Sequence, residues 1–447
     1  MDKPRVEEIL LPANTDTPEV RISSGSIYSL AQQLVGFGAS FLIGIVVART
    51  LGPAGKGQLS LVMQVPGLLI VLLNLGISQA NVRYVSQGEL DPKAAVGNSI
   101  VIATALGMIA APIVYMLLEG PFAVARDVPH QAVVFAMLVL PLGLAAASIT
   151  GVSIGLGNLV LPFWYAVASS LTTLAGFGAL SLFGAANVTS VVALSVAGTV
   201  VGVALMLFGM RRMSWPWRFD STAARSVAQF SAKAYIGDIT GFLHNRLDIL
   251  ILGWLAGSAA VGLYSVGVSF AELALYVPTA LSTAVLAKAG RTDSDEGLEF
   301  VSRSTRSAVL LTLLTMALLA AAVPGMVWLL FGAAFIPSVL AFFVLLPGVL
   351  ADGVTRIVWN YQVGRGRIYW MLSLVMALLN VAAVVVLVPL FGFVGAAAAS
   401  SLTYTALACF VIGFFCRETG AKPLSLVVPQ RRDVSTLWSF FREAMPR

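Results

Sequence analysis

The sequence predicts an all-α protein that crosses a membrane about twelve times, as two six-helix lobes related by an internal repeat. Three observations carry this reading. First, 58% of the 447 residues are hydrophobic and only 11% are charged, where a soluble domain carries about 25% charged residues. No core of this size could hide so much apolar surface from water, so lipid must solvate most of it. The apolar runs are continuous rather than alternating, and in lipid only helices or closed barrels satisfy the backbone; continuous runs select helices. Second, lysine and arginine are distributed asymmetrically along the chain. Third, the turns of the two halves repeat.

The first 20 residues are polar and carry Pro4, Pro12 and Pro18, and 1–26 reads as a cytoplasmic tail. Apolar runs long enough to span a bilayer, roughly 20 residues each, follow at 27–48, 59–82, 97–118, 132–155, 159–181 and 190–209. These make the first lobe, 27–209. A polar stretch at 210–231, with Trp215-Pro216-Trp217, reads as the joint. The second lobe, 232–416, holds runs at 232–255, 261–287, 307–330, 336–360, 369–389 and 394–416. In the tail at 417–447, Leu437, Phe440, Phe441 and Ala444 would share one face of a helix over 433–445 lying on the inner leaflet, the alternative being a disordered tail. With both termini inside, 22 of the 27 basic residues fall on the cytoplasmic side and three (Arg49, Lys56 and Arg126) outside, as the positive-inside rule requires. The net charge of +6 is therefore a topology signal, not a nucleic-acid footprint. Cys409 and Cys416 stand seven apart on one helix, too far for a disulfide. Two histidines build no metal site.

The repeat is read from the turns. Gly52, Gly57 and Ser60 correspond to Gly257, Gly262 and Ser265 at an offset of 205. Gly155 and Gly157 correspond to Gly364 and Gly366 at an offset of 209, and Leu182-Phe183-Gly184 to Leu390-Phe391-Gly392 at 208.

Local stretches add a resemblance. A-R-T-L-G-P-A-G-K-G (Ala48 to Gly57), N-L-G-I-S-Q-A-N-V-R-Y-V-S (Asn74 to Ser86) and N-R-L-D-I-L-I-L-G (Asn245 to Gly253) resemble the openings of the two halves in the polysaccharide-transporter branch of the MOP superfamily, which also holds the MATE-like transporters. That branch contains lipid-linked oligosaccharide flippases, including the Wzx type. The resemblance implies a bacterial or archaeal cytoplasmic membrane and alternating access about a central cavity. Its implied substrate is an isoprenoid-pyrophosphate-linked oligosaccharide carried from the cytoplasmic to the outer leaflet. Membrane lipids and polysaccharide polymerases or glycosyltransferases are the implied partners, and nucleic acid is not one.

Charges inside spans cost several kcal/mol unless paired or wet, so they mark the candidate site. The first six spans contain no acid. The second half holds Asp238, Asp248, Glu272 and Asp352, candidates for H⁺ or Na⁺ coupling, and no cofactor motif is present. Asp352 and Arg356 stand four apart and can pair, while Asp248 lies near Arg246. The alternative is that these groups are ion pairs holding helices around a wet cavity. Given the implied substrate, Arg49 and Arg83 become candidates to grip pyrophosphate, since guanidinium stays charged and binds phosphate bidentately; interfacial anchoring at helix ends is the other reading. Arg246 and Arg356 are secondary candidates for the same cavity. Gln32, Gln33, Asn74, Gln79 and Asn81 either bind sugar hydroxyls or bond across helices.

No enzyme motif is present: no H-E-x-x-H, no phosphate-binding loop, no G-x-S-x-G. A glycan polymerase or ligase would carry a large outer loop with clustered Arg and His, and the longest outer stretch here, Glu119 to Gln131, is short. A multidrug or cation antiporter of the same superfamily would often need an acid in the first lobe. A major-facilitator carrier would show its signature loop at 82–97, which is absent. The topology is testable by thiol labelling in a cysteine-free background. Cysteines at 186 and 392 are expected to react from outside and those at 90 and 220 only from inside; outside labelling at 220 overturns the two-half layout.

Overall fold

The structure, a computed structural model, describes residues 24–120, 123–124, 127–234, 236–279, 281–282, 295–361, 366–428 and 430. Among these residues the secondary structure is helical throughout, without a strand. Among the described residues ten helices are long and apolar enough to cross a membrane. Two of them, α1 (Ser24–Asn74) and α8 (Ile236–Leu273), are each broken at a single glycine, Gly52 and Gly257. Counting each broken helix as two crossings gives the expected twelve.

The first lobe continues with α2 (Ile77–Ser86), α3 (Pro92–Leu118), α4 (His130–Gly155), α5 (Val160–Leu182) and α6 (Val188–Ser214). A short helix, α7 (Ser221–Ala234), leads into α8. The second lobe adds α9 (Asp295–Met326), extended by a π-helical turn at Val327–Phe331, then α10 (Ser338–Tyr361), α11 (Gly366–Phe391), α12 (Phe393–Thr419) and the short α13 (Pro423–Val427). Caps explain many of these boundaries. Asp91 accepts from the Lys93 amide ahead of α3, with Pro92 at the first position, where no amide bond is lost. Asn158 accepts from the amides of Val160 and Leu161 at the start of α5. Asn187 and Ser190 form a reciprocal capping box on α6.

Within the first lobe α3 packs on α4 and α5 on α6; within the second α10 packs on α12 and α11 on α8. The principal contact between the lobes is α1 along α8. The two breaks form its tightest point. Gly52 (φ 66°, ψ −169°) and Gly257 (φ 79°, ψ 176°) adopt almost the same conformation, one essentially confined to glycine. A Cβ on Gly57 would collide with the backbone carbonyl of Ser258, and a Cβ on Gly262 with that of Pro53. Pro53 and Ser258 are themselves related by the offset of 205. The contact is reciprocal, as at a two-fold axis.

Several boundaries differ from those expected. The second span is not one helix over 59–82, because Leu75 (φ 46°) and Gly76 (φ 74°) both turn left-handed and divide α1 from α2. The eighth does not run unbroken through 261–287: α8 ends at Leu273 and a turn follows at 274–275. The ninth begins at Asp295, well before 307. The stretch read as a polar joint contains α7 and is bonded to the first lobe. Arg218 pairs with Asp91 at 3.0 Å, its amide donates to the Lys93 carbonyl, and Asp220 and Asn98 exchange two hydrogen bonds of 2.9 Å. The tail helix over 433–445 and residues 1–23 lie outside the described residues.

Open space surrounds both Gly52 and Gly257, so alanine there tests torsion alone. G52A and G257A are each expected to lower stability by about 1–3 kcal/mol, read as a fall in melting temperature, whereas alanine at Gly36, a helical glycine with open space around it, is expected to be neutral or stabilising.

Candidate functional site

The seam between α1 and α8 is layered. At the end bearing the glycine breaks, polar bonds cross from lobe to lobe. Arg49, on α1, donates through Nε to the Leu330 carbonyl at 2.9 Å and through Nη2 to the Leu329 carbonyl. Those oxygens belong to the last turn of the α9 segment, where carbonyls lose their helical partners and the helix dipole is negative. A guanidinium satisfies both needs. Asp127, in the α3–α4 connection, accepts from Ser258 Oγ of the second lobe, and both its carboxylate (3.4 Å) and its carbonyl (2.7 Å) accept from Gln58. The first lobe is thus bonded to the second at two places near the glycine crossing.

Deeper along the seam lies an aromatic cluster. Phe41 of α1 meets Phe270 and Phe331 of the second lobe edge-on at 5.8 and 5.9 Å, and those two rings meet each other at 5.9 Å. Phe37 meets Tyr276 at 5.5 Å one turn further on. Beyond that, Gln33 is exposed and Leu34 is 58% exposed.

The second lobe carries the charged groups. Asp248 is buried and accepts from Tyr264 Oη, from Ser400 Oγ at 2.9 Å and from the Ile249 amide at 2.8 Å. Asn380 donates to Thr403 Oγ1 at 3.0 Å and to Ser400 Oγ at 3.4 Å, while its own Oδ1 is buried without a partner among the described residues. Arg246 pairs with Glu272 at 3.4 Å, across the two segments of α8. It does not turn to Asp248, because residues two apart on a helix face different ways. Asp352 and Arg356 form the expected (i, i+4) pair at 2.8 Å. Tyr404 lies within electrostatic reach of Asp248, Glu272, Asp352 and Arg246. Among the described residues Arg246 and Arg356 pair with Glu272 and Asp352, and the hydrogen bonds to Asp248 come from neutral donors. No group of three metal-ligating side chains occurs among the described residues.

The remaining candidates are dispersed. Arg83 is exposed on α2, with Nε 3.4 Å from Gln87 Oε1. It lies some 30 residues along α1 and α2 from the Gly52 break, so the structure does not bring Arg49 and Arg83 together. Asn81 is 2% exposed and its amide donates to Ser99 Oγ and the Ser148 carbonyl, both at 3.1 Å; it bonds across helices and does not line the seam. Asn74 keeps a buried Oδ1 without a partner among the described residues. Gln32 is partly buried on α1 and Gln79 is exposed on α2. Asp238 lies on α8. Sequence reasoning missed Asp127, Ser258, Tyr264, Asn380 and Ser400. For Asn380 a signal existed, since it is the one amide in the apolar run at 369–389.

Two repeated helical lobes meeting along one seam, bonded across it at one end, with charge gathered inside one lobe, define a two-lobed multi-pass α-helical membrane protein. The chain belongs to the polysaccharide biosynthesis protein family, whose model matches residues 22–287, more than half of its length. No curated protein matches it in sequence. Its fold is similar to that of the lipid II flippase MurJ in an inward closed conformation (TM-score 0.72, 12% identity, 95% of this chain and 93% of that one). It is also similar to an inward-facing multidrug resistance MATE family transporter (TM-score 0.68, 14% identity, 89% and 100%). A point mutant of the Vibrio cholerae MATE transporter VcmN shares the fold as well (TM-score 0.59, 14% identity, 90% and 98%).

Hydrogen bonds to charged groups contribute about 1.5–3 kcal/mol, so R49A and D127A are each expected to shift the balance of fastened and parted lobes by tenfold or more. Spin labels on Ala54 and Ala259, exposed beside the two breaks, report this as a longer distance distribution. An unchanged distribution in the double variant removes the fastening role.

Proposed function

We propose that this protein moves an isoprenoid-pyrophosphate-linked oligosaccharide from the cytoplasmic to the outer leaflet by alternating access. Membership of the polysaccharide biosynthesis family carries the reading, and the seam supports it: the bonds from Arg49 and Asp127 to the second lobe gather at the end bearing the glycine breaks, where the lobes can part. The end bearing α7 faces the cytoplasm, as the basic residues indicate, and the fastened end faces out. The glycan enters between the lobes while the isoprenoid stays in lipid. Arg83, four residues from Gln79 on an exposed face of α2, meets the phosphates on the cytoplasmic side. Arg49 is held by the α9 carbonyls in this state and is released to an anion when the outer end parts. Polymerases and glycosyltransferases act on either side of the step.

Asp248 is the coupling residue. A buried carboxylate held by neutral donors takes up a proton or a small cation, and the unpaired Asn380 Oδ1 supplies a second oxygen. Loading and release of that cation bias the packing of α8, α11 and α12.

A leaflet-specific assay of the lipid-linked glycan in proteoliposomes tests the function. Wild type is expected to transfer it. D248N, which keeps size and loses charge, is expected to fold normally but to lose at least tenfold in gradient-driven rate. Extrusion of cationic drugs without glycan transfer would instead establish the antiporter reading.

A further inference from the structure

Lys56 stands four residues after the break at Gly52. Its ammonium reaches back to Gly44, eight residues before the break, where Nζ lies 3.2 Å from the place a Cβ would occupy. At about 1.5 Å per residue the side chain therefore runs deeper into the protein, away from the fastened end. Lysines near helix ends in membranes ordinarily extend the other way, toward the interface. Gly44 shares a helix face with Phe37, Phe41 and Ala48, and the contacts of Phe37 and Phe41 show that this face is turned to the second lobe. The ammonium thus sits in the seam, one turn beyond the Phe41–Phe270–Phe331 cluster on its fastened side. Among the described residues no hydrogen bond or ion pair reaches it; Ser60 bonds only to the Lys56 carbonyl. Asp127, the carboxylate of the same end, is engaged by Gln58 and Ser258. Gly44 leaves the space that admits the charge.

A cation drawn inward and left without a counter-ion is costly unless something anionic passes it. We propose that Lys56 is an anion-binding station of the transport path, which receives the diphosphate of the translocated lipid after the aromatic cluster parts and before the Arg49 and Asp127 fastenings open. This rests on the flippase reading given above. A diphosphate suits the position because a lysine acts as a mobile point charge, able to follow phosphate oxygens along the seam. The same chemistry exists in the headgroups of anionic phospholipids, so the test includes both.

The full-length protein in detergent is titrated with geranyl pyrophosphate, with geraniol as the uncharged control and dioleoylphosphatidylglycerol as the phospholipid, and binding is read from the melting temperature. Glycan transfer is measured in parallel. Wild type is expected to be stabilised by geranyl pyrophosphate and not by geraniol. K56Q should weaken that binding at least tenfold and slow transfer, with an unliganded melting temperature equal to or above wild type, since an unpaired charge is gone. K56R should retain most of the binding. G44A fills the space of the ammonium without removing charge or weakening the helix, and should also weaken binding; if K56Q fails to fold, K56R and G44A carry the test. Wild-type diphosphate affinity in both K56Q and G44A overturns the proposal and leaves the flippase reading intact. Dependence on Lys56 for phosphatidylglycerol alone makes the residue a phospholipid contact and likewise overturns it. A wild type that neither binds the diphosphate nor transfers the glycan refutes the flippase reading itself.

Discussion

The arrangement of the molecule depends on two backbones touching where no side chain is present. Gly57 rests on the Ser258 carbonyl and Gly262 on the Pro53 carbonyl, and one methyl group at either position would force the lobes apart. This crossing sets the distance between α1 and α8 at one end. It thereby brings Arg49 within reach of carbonyls 280 and 281 residues away, and Ser258 within reach of Asp127. It also fixes the depth at which Phe41 meets Phe270. None of these contacts could form if the glycine breaks were smooth helix, because each broken helix would then continue away from its partner.

The second constraint is the expense of charge in lipid. The lobes answer it differently. The first keeps acids out of its spans and holds its arginines near helix ends, where carbonyls or polar surface receive them. The second pairs Arg246 with Glu272 and Arg356 with Asp352, and it buries Asp248, whose described hydrogen bonds come from two hydroxyls and an amide. The asymmetry of charge is laid over a symmetric pair of backbones.

Much of the fold was legible because membrane helices announce themselves by length and because glycines at left-handed positions recur at a fixed offset. Gly52 and Gly257, and Gly184 and Gly392, all have positive φ, so the repeat seen in the letters is a repeat of torsions. The Asp352–Arg356 pair was legible because four residues on a helix is a contact distance. What stayed hidden lacks a local signature. The partners of Arg49 are backbone oxygens, which every residue has. Asp248 is satisfied by Tyr264 and Ser400, from different segments, and no spacing encodes that. Leu75 turns left-handed although leucine has no preference for doing so, and the break it makes could not be read. Lys56 was read as an outer-loop cation because its position along the chain is peripheral; the direction of its side chain depends on the empty space at Gly44 across the break.

The reciprocity of the glycine crossing has a consequence for how such a chain is assembled. Each half presents a bare glycine to the backbone of the other, so the crossing itself is self-complementary, as at a two-fold axis. A covalent joint is then not what holds the lobes in register. The linker, bolted by Asp220 and Asn98 to the first lobe, acts as a tether that raises the effective concentration of one half near the other. The interiors of the two halves differ, one rich in charge and one without acids in its spans, while the surface at the crossing is bare in both.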